Sequence, residues 1–175
     1  MEERNKRARF EQVVLPHLDA AYNLARWLTH NDHDAQDVVQ ETYLRAYRFF
    51  EGFRGGDSRT WLLAIVRNTS FTWMQRNRPP ENTDVFDEQL HSEESESATP
   101  EALLLAGADQ ELVRKALEEL PAQFREVLVL RELEGLSYKE IADVVNIPIG
   151  TVMSSLARAR QRLREALVKC LAKES

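Results

Sequence analysis

Two stretches of the chain carry hydrophobic residues at helical spacing, and the stretch between them does not. Residues 8–78 and 106–172 place apolar side chains three or four positions apart, which is typical of helices with one buried face. Residues 79–105 begin with Pro79-Pro80 and continue as an acidic, serine-rich tract, a composition typical of a flexible linker. The pattern predicts an all-α protein with two small helical domains, 1–78 and 106–175, joined by a linker at 79–105.

The first domain is predicted to contain helices separated by short breaks. Phe10 to Leu28 forms one helix, or two that meet near Pro16, and the next helix runs to about Phe50 after a cap at Asn31 or Asp32. A glycine-containing loop, 53–59, precedes a helix from Trp61 to about Asn77 that Ser58 or Thr60 caps. The predicted core positions of these helices are Val14, Leu18, Tyr22 and Ala25, then Val39, Tyr43, Ala46 and Phe50, then Leu62, Ile65, Val66, Thr69 and Trp73.

The second domain is predicted to open with a helix around Leu112 to Leu120. Pro121 begins another helix, at a position where proline fits a helix start, and Gly135 ends it. The side chains predicted to bury this helix are Phe124, Val127, Leu128 and Leu130.

Residues 136–164 predict a helix-turn-helix. Ser137 and Glu140 have the spacing of a capping box that starts the first helix. Pro148, within the segment 146–150, ends that helix, and a second helix follows from about Thr151. That second helix is apolar at Val152, Leu156, Ala159 and Leu163, and basic at Arg158, Arg160, Arg162 and Arg164. A helix-turn-helix can place its second helix in a DNA major groove, and the arginines suit phosphate contact. The alternative is an ordinary helical hairpin with a solvated basic face.

Charge is distributed unevenly along the 175 residues. The net charge is −6, but residues 81–101 hold eight acids and no lysine or arginine, so the remainder is near neutral with local basic clusters. The only cysteine, Cys170, allows no internal disulfide and is predicted to pack between helices. The N-terminus lacks the apolar run of a signal peptide, and no stretch approaches a membrane span of about 20 residues, so we expect a cytoplasmic protein without membrane insertion.

Motifs for catalysis do not emerge from the sequence. His17, His30, His33 and His91 show no metal-binding spacing, and the segment 30–33 is better interpreted as a loop and helix cap. No phosphate-binding glycine loop or nucleophile motif occurs. We therefore expect no catalytic residue, no metal, no cofactor and no small-molecule substrate.

Three segments, in order, resemble parts of bacterial σ factors. Residues 37–48 (DVVQETYLRAYR) resemble the polymerase-binding segment, and Arg59-Thr60-Trp61-Leu62 with Ala64, Arg67 and Asn68 resembles the promoter-reading helix. Residues 120–127, 135–142 and 150–152 resemble the σ4 domain. The order and spacing are similar to those of the extracytoplasmic-function (ECF) group of σ70-type factors. The resemblance implies a σ2-like helical bundle followed by a σ4-like helix-turn-helix domain.

The resemblance further implies that one face of the segment 37–48, in the first domain, docks on the β′ coiled coil of core RNA polymerase. The alternative is a solvated face with i,i+4 ion pairs such as Glu41–Arg45, each worth only about 0.2–0.5 kcal/mol. The residues predicted for this polymerase contact are Asp34, Asp37, Gln40, Glu41, Leu44, Arg45 and Arg48.

The loop 53–59 and its neighbours are predicted to contact the promoter −10 element. A base flipped out of the duplex costs a few kcal/mol, which aromatic stacking and phosphate contacts can offset. The alternative is a plain glycine turn, with Trp61 and Phe50 as packing residues. The predicted −10 residues are Tyr47, Phe53, Arg54, Asp57, Ser58, Arg59, Trp61, Arg67, Asn68 and Arg76.

The second helix of the helix-turn-helix is expected to contact the −35 element. The chain departs from the family at Met153 and Ser155, where members often carry basic residues, and at Asn146, which replaces a turn glycine. The flank with Thr151 and Ser155 is predicted to face the groove, while Arg160 and Arg164 contact phosphate or solvent. The predicted −35 residues are Tyr138, Lys139, Thr151, Ser154, Ser155, Arg158 and Arg162.

The function implied is that of a transcription initiation factor without catalysis of its own. It would bind core RNA polymerase through the β′ coiled coil and the β subunit, direct it to promoter DNA and assist melting. An anti-sigma factor would hold it inactive. The acidic linker would follow a basic channel of the polymerase; the alternative is a plain solubilising tether. The alternative is a stand-alone helix-turn-helix DNA-binding regulator with a helical sensor domain, which would need no polymerase-docking face.

Overall fold

The structure is a computed structural model that describes residues 2–77 and 110–174. Every regular element in these two ranges is helical, which confirms the all-α prediction. The chain divides into two compact units, and each is described by itself. The predicted linker, 79–105, lies outside the described residues, so its path remains a prediction.

The first unit contains four α-helices. They are α1 (Glu2–Val14), α2 (Leu18–Thr29), α3 (Asp32–Phe49) and α4 (Ser58–Asn77), with 3-10 turns at Leu15–His17 and Phe50–Gly52. Helices α2, α3 and α4 contact one another, and α1 contacts α4. Leu24, Leu28, Leu62 and Leu63 are fully buried between them.

The breaks between these helices follow local chemistry. Pro16 lies in the 3-10 turn, so the chain forms two helices where the sequence allowed one or two. His30 ends α2 with a φ of 62°, and its N–H donates to the Arg26 carbonyl. The Asn31 side chain then accepts a 3.1 Å hydrogen bond from the Asp34 N–H, which confirms the predicted asparagine cap of α3.

The buried faces of α3 and α4 differ from the prediction. On α3 the buried positions before Phe50 are Ala35, Val38, Thr42 and Ala46, whereas Val39 and Tyr43 are half-buried. On α4 the core also takes in Leu63 and Ser70, whereas Ile65 and Trp73 are half-buried. The reason is that α4 contacts α1, α2 and α3, so partners on several sides decide which of its residues are buried.

The start of α4 was also predicted wrongly. The helix begins at Ser58 rather than Trp61, and the carboxylate of Asp57 caps it by accepting the Thr60 N–H at 3.2 Å. The Thr60 hydroxyl donates to the same carboxylate. Asp57 therefore takes the capping role assigned to Ser58 or Thr60, because its carboxylate stands three residues before the Thr60 N–H, a first-turn donor that no carbonyl of the helix can reach.

The described residues 110–174 contain α5 (Gln110–Glu119), α6 (Ala122–Leu128), α7 (Tyr138–Val145) and α8 (Ile149–Glu174), with a π turn at Val129–Leu133 after α6. Helix α8 contacts both α5 and α6. The four predicted core residues of α6 and its π turn are all at most 4% exposed: Phe124, Val127, Leu128 and Leu130.

The glycine and proline predicted at helix ends, and the cysteine, have defined positions in the structure. Gly135 follows the π turn with a φ of 70°, and the Leu136 N–H closes back on the Leu130 carbonyl at 3.0 Å, which confirms the glycine stop. Pro121 is the cap residue of α6 rather than its first helical residue. Cys170 is 6% exposed, which confirms a packing position.

Residues 2–77 and 110–174 contain neither a membrane-spanning helix nor a metal-binding cluster. No helix in these ranges is both long and apolar enough to cross a membrane. In the same ranges, no group of three or more His, Cys, Asp or Glu side chains is arranged to hold a metal ion.

Candidate protein and nucleic-acid interfaces

The outer face of α3 combines charge with exposed apolar side chains. Asp37, Gln40 and Arg48 are exposed, and Leu44 between them is 62% exposed. Phe49, which was not predicted as a contact residue, is 59% exposed at the end of α3, but it lies on a different side of the helix from Leu44 because five residues separate them. Large exposed apolar residues within a polar face are typical of a protein-binding surface.

Two residues of the predicted polymerase face are fixed by internal contacts. Arg45 forms the expected i,i+4 ion pair with Glu41 at 2.8 Å, and its other guanidinium nitrogen donates to the Thr69 hydroxyl of α4 at 3.3 Å. Both side chains are half-buried, as is Asp34 near the helix start. Arg45 therefore links α3 to α4 in addition to any role at the surface.

Six aromatic rings form a cluster between α1, α3, the loop 53–57 and α4. Phe10 makes edge contacts with Tyr43, Tyr47 and Phe50 at centroid distances of 4.9, 5.2 and 5.4 Å. Phe53 stacks on Phe50 at 6.1 Å and lies 4.9 Å from Trp61. Phe50 is only 2% exposed, which confirms it as a packing residue.

The outer members of this cluster keep accessible surface. Tyr47, Phe53 and Trp61 are half-buried, so each of these residues keeps some accessible surface. A ring held by neighbouring rings offers a pre-positioned surface on which a nucleic-acid base can stack. Phe53 and Trp61 are the two such rings closest to each other at the loop.

The polar residues of the loop already have partners within the protein. Gly55 and Gly56 adopt positive φ values of 91° and 98°, which lets the chain turn before Asp57. The Asp57 carboxylate caps α4, and the Ser58 hydroxyl lies 3.0 Å from the His17 Nε2 atom. A base edge would have to share or replace these hydrogen bonds. Arg54 is exposed, whereas Arg59 is half-buried.

Helix α4 carries the remaining predicted −10 residues along its length. The Arg67 guanidinium lies 4.2 Å from the centre of the Phe71 ring and donates to the Asn68 side chain at 3.3 Å. Asn68 and Arg76 are exposed. These contacts hold a cation and an amide beside each other at the surface of α4.

The turn of the helix-turn-helix is built from local hydrogen bonds. The capping box is confirmed in both directions: Glu140 N–H donates to the Ser137 hydroxyl at 3.1 Å, and Ser137 N–H donates to the Glu140 carboxylate at 2.9 Å. Asn146 has a φ of 61°, the left-handed conformation that asparagine tolerates. The Pro148 carbonyl accepts the N–H groups of Thr151 and Val152.

These bonds start α8 at Ile149, two residues before the predicted start near Thr151. Gly150, interpreted from the sequence as part of the break, therefore lies inside the first turn of α8 and has no left-handed φ. The predicted apolar stripe is confirmed, since Val152, Leu156, Ala159 and Leu163 are at most 1% exposed.

Ser155 lies on this buried stripe, which is contrary to its predicted place at the groove. It is only 6% exposed because it follows Val152 by three residues and precedes Ala159 by four, so it shares their face. A side chain with so little surface cannot contact a base edge in this arrangement. The exposed face of the same two turns carries Met153, 52% exposed, and Ser154.

The other predicted −35 residues occupy two sides of the unit. Thr151, Ser154 and Arg158 follow one another along α8 at helical spacing, with Ser154 exposed and the other two half-buried. Lys139 is exposed at the start of α7, and Tyr138 beside it lies under the Arg131 guanidinium at 4.7 Å. Arg162 instead lies 5.5 Å from the Phe124 ring centre.

Arg160 has a structural contact that the sequence did not predict. Its guanidinium forms a 3.2 Å ion pair with Glu132 of the π turn, and the two side chains are 24% and 14% exposed. The ion pair joins α8 to the π turn after α6, so Arg160 has a structural role within the protein. Because 28 residues separate Arg160 from Glu132, no local sequence pattern predicts this ion pair.

Comparison with known proteins identifies both units. A family model described as sigma-70 region 2 matches residues 13–79, and one described as sigma-70, region 4 matches residues 110–163. The chain is 37% identical over 170 residues to the RNA polymerase sigma-H factor of Pseudomonas aeruginosa, a match that covers 93% of this chain and 88% of the relative. It is 40% identical over 138 residues to the ECF RNA polymerase sigma-E factor of Escherichia coli K12, covering 74% and 72%.

A third relative is longer than this chain. The ECF RNA polymerase sigma factor SigE of Mycolicibacterium smegmatis is 36% identical over 163 residues, which are 91% of this chain but 62% of the relative. The chain therefore spans less than two thirds of that protein.

Two solved structures share the fold. The sigma factor RpoE of Bartonella quintana, in complex with the anti-sigma factor NepR, matches with a TM-score of 0.68 and 31% identity over 91% of this chain and 96% of that one. CnrH, in complex with the cytosolic domain of CnrY, matches with a TM-score of 0.64 and 27% identity over 93% and 90%.

Proposed function

The chain belongs to the sigma-70 family of RNA polymerase sigma factors, in its ECF group, and we propose that it binds core RNA polymerase, directs it to promoters and assists DNA melting. The observation that carries this proposal is the presence of both region 2 and region 4 in one chain, in that order. A stand-alone DNA-binding regulator would need region 4 but not region 2. The polymerase would supply the chemistry, and this protein would supply recognition.

The outer face of α3 is the proposed contact with the β′ coiled coil of the core enzyme. Leu44 supplies apolar surface at its centre, and Asp37, Gln40 and Arg48 surround it with polar groups of both signs. Interface energy concentrates in a few buried anchors, while surrounding charges set the orientation of the partners. Leu44 is therefore the proposed anchor.

Promoter contacts divide between the two units. Phe53 and Trp61 would stack on an unpaired −10 base, and each stacked base gains about 1–3 kcal/mol, which is comparable to the cost of unstacking it. Arg54, Arg67 and Arg76 would contact the nearby backbone. In the second unit the row Thr151, Ser154 and Arg158 would enter the groove of the −35 element, with Lys139 and Tyr138 at the phosphates.

Replacement of Leu44 by alanine tests the polymerase contact. We expect Leu44→Ala to weaken the affinity for core enzyme by about tenfold, as the loss of a buried interface anchor costs roughly 1–2 kcal/mol. The measurement is a fluorescence titration of labelled full-length protein with purified core polymerase. Leu15→Ala is the matched control, because Leu15 is also exposed, at 50%, but lies in the turn before α2. Equal affinity of the Leu44 variant and the control would contradict the assignment.

Regulation by an anti-sigma factor is also proposed. The support is that the RpoE match was solved in complex with the anti-sigma factor NepR, and this chain aligns with 96% of that sigma chain. The partner would cover surfaces that the polymerase needs, so the two would bind in competition. We expect a cognate anti-sigma factor to displace core enzyme stoichiometrically in size-exclusion chromatography. A stable complex of all three proteins would be incompatible with this competition.

A further inference from the structure

The first two turns of α8 present an uncharged surface with two exposed apolar side chains. Ile149 is 46% exposed and Met153 is 52% exposed. They stand four residues apart, so they are neighbours on one face of the helix, and the half-buried Ala157 continues the same row. The first cation on α8 is Arg158, more than one turn beyond Met153.

The orientation of this surface is fixed by the opposite side of the helix. Val152 directly precedes Met153 and Leu156 follows it by three residues, and these two side chains are 0% and 1% exposed. The Pro148 carbonyl holds the first turn through the N–H groups of Thr151 and Val152 at 3.0 and 3.1 Å. The backbone of α8 therefore keeps Met153 directed away from the core, and only its own side-chain rotation is free.

A helix-turn-helix contacts base edges through the N-terminal residues of its second helix. In the major groove, the thymine 5-methyl group is the apolar feature, whereas the other distinguishing groups are hydrogen-bond donors and acceptors. A methionine has no donor and only a weak acceptor, so it can contact a methyl group but cannot replace the water bound to a polar base edge.

We propose that Met153 is a specificity-determining residue that selects a thymine in the promoter element bound by α8, through apolar contact with the 5-methyl group. Ile149 borders the same contact. The inference rests on the proposed function and deepens it, because it names the chemical group that is recognised. DNA is favoured over a protein partner because this surface lies at the N-terminal end of the second helix, where a helix-turn-helix contacts base edges, and the exposed Lys139 lies on the preceding helix.

Replacement of thymine by deoxyuridine tests the contact, since it removes only the methyl group. A promoter is first selected with the holoenzyme from a library randomised at the −35 element. Each thymine of the selected element is then replaced singly, and holoenzyme binding is titrated. We expect one replacement to lower the affinity of the wild-type holoenzyme about fourfold, which corresponds to the burial of one methyl group. With Met153→Ala the same replacement should have no further effect, because the contact is already lost.

Two variants serve as controls. Met153→Leu keeps an apolar side chain and should retain the sensitivity to deoxyuridine. Val168→Ala removes another exposed apolar residue, 66% exposed, from α8 outside the region 4 match, and should behave as wild type. Neither Met153 nor Val168 is in the core, so thermal unfolding of all variants should be unchanged.

The other outcomes count against the inference. Wild-type affinity that responds to no thymine replacement, or a Met153→Ala variant that keeps the response, overturns it. Weaker holoenzyme assembly by Met153→Ala without any deoxyuridine effect would assign the surface to a protein contact instead. A holoenzyme that initiates normally but ignores the methyl groups contradicts only this inference, whereas failure to form a holoenzyme contradicts the proposed function as well.

Discussion

Asp57 has both a structural partner and a predicted DNA partner. Its carboxylate accepts the Thr60 N–H and so satisfies one of the donors exposed at the start of α4. The predicted contact with a promoter base would use the same oxygens. The two roles differ in what they require, since capping needs only an acceptor oxygen, whereas an interaction that depends on charge needs the carboxylate.

Substitution of Asp57 separates these roles. We expect Asp57→Ala to lower the free energy of unfolding by about 1 kcal/mol through loss of the cap, and Asp57→Asn to keep most of it because the amide oxygen can still accept. Urea unfolding of the full-length protein followed by circular dichroism measures both. If Asp57→Ala unfolds at the wild-type urea concentration, the cap does not stabilise α4. Open-complex formation by Asp57→Asn then reports on the DNA role separately.

At the scale of the element, local signals were predictable and packing partners were not. The capping box at Ser137, the cap at Asn31 and the glycine stop at Gly135 each depend on a few neighbouring residues, so the sequence was sufficient. The buried face of α3 depends on the helices packed against it, so spacing alone did not distinguish it from the neighbouring row of residues. The burial of Ser155 could have been predicted, because the spacing to Val152 and Ala159 places it on their buried face. The exposure of Phe49 and the Arg160–Glu132 ion pair also depend on contacts between elements, so the sequence did not predict them.

Among the interfaces, the sequence and the family resemblance indicated the segments but not the accessible atoms. The aromatic residues near the loop were recognised as a group, yet only the structure separates the buried Phe50 from the half-exposed Phe53 and Trp61. Likewise, the second helix of the helix-turn-helix and its row of Thr151, Ser154 and Arg158 were predicted from the sequence, whereas the structure was needed to see that Ser154 is the exposed member of that row.

The turn between α7 and α8 makes an element-scale prediction. Asn146 has a φ of 61°, which costs a residue with a Cβ atom about 1–2 kcal/mol, although asparagine tolerates it better than most. We expect Asn146→Ala to lower the melting temperature by several degrees, on the order of 4–8 °C per kcal/mol for a small domain, and Asn146→Gly to maintain or raise it. Differential scanning calorimetry of the full chain measures both. A glycine variant less stable than the alanine variant would contradict the assigned backbone conformation.

At the scale of the whole molecule, two separate units are proposed to hold two promoter elements. Few cations of α8 are available for DNA, since Arg160 pairs with Glu132 and Arg162 lies on the Phe124 ring. We therefore expect α8 by itself to bind DNA weakly. Linking it to a second DNA-binding unit, and both to the polymerase, raises the effective concentration at each element. Promoter selectivity would then belong to the holoenzyme rather than to either unit.

Run-off transcription with purified core polymerase tests this central claim most directly. The templates are a promoter selected from a randomised library, the same promoter with its −35 element scrambled, and the same promoter with its −10 element scrambled. We predict transcripts from the intact promoter only in the presence of this protein, and a loss of at least about tenfold when either element is scrambled, because each holds a different unit. Absence of initiation on every template, or initiation unaffected by one of the two elements, would contradict the account.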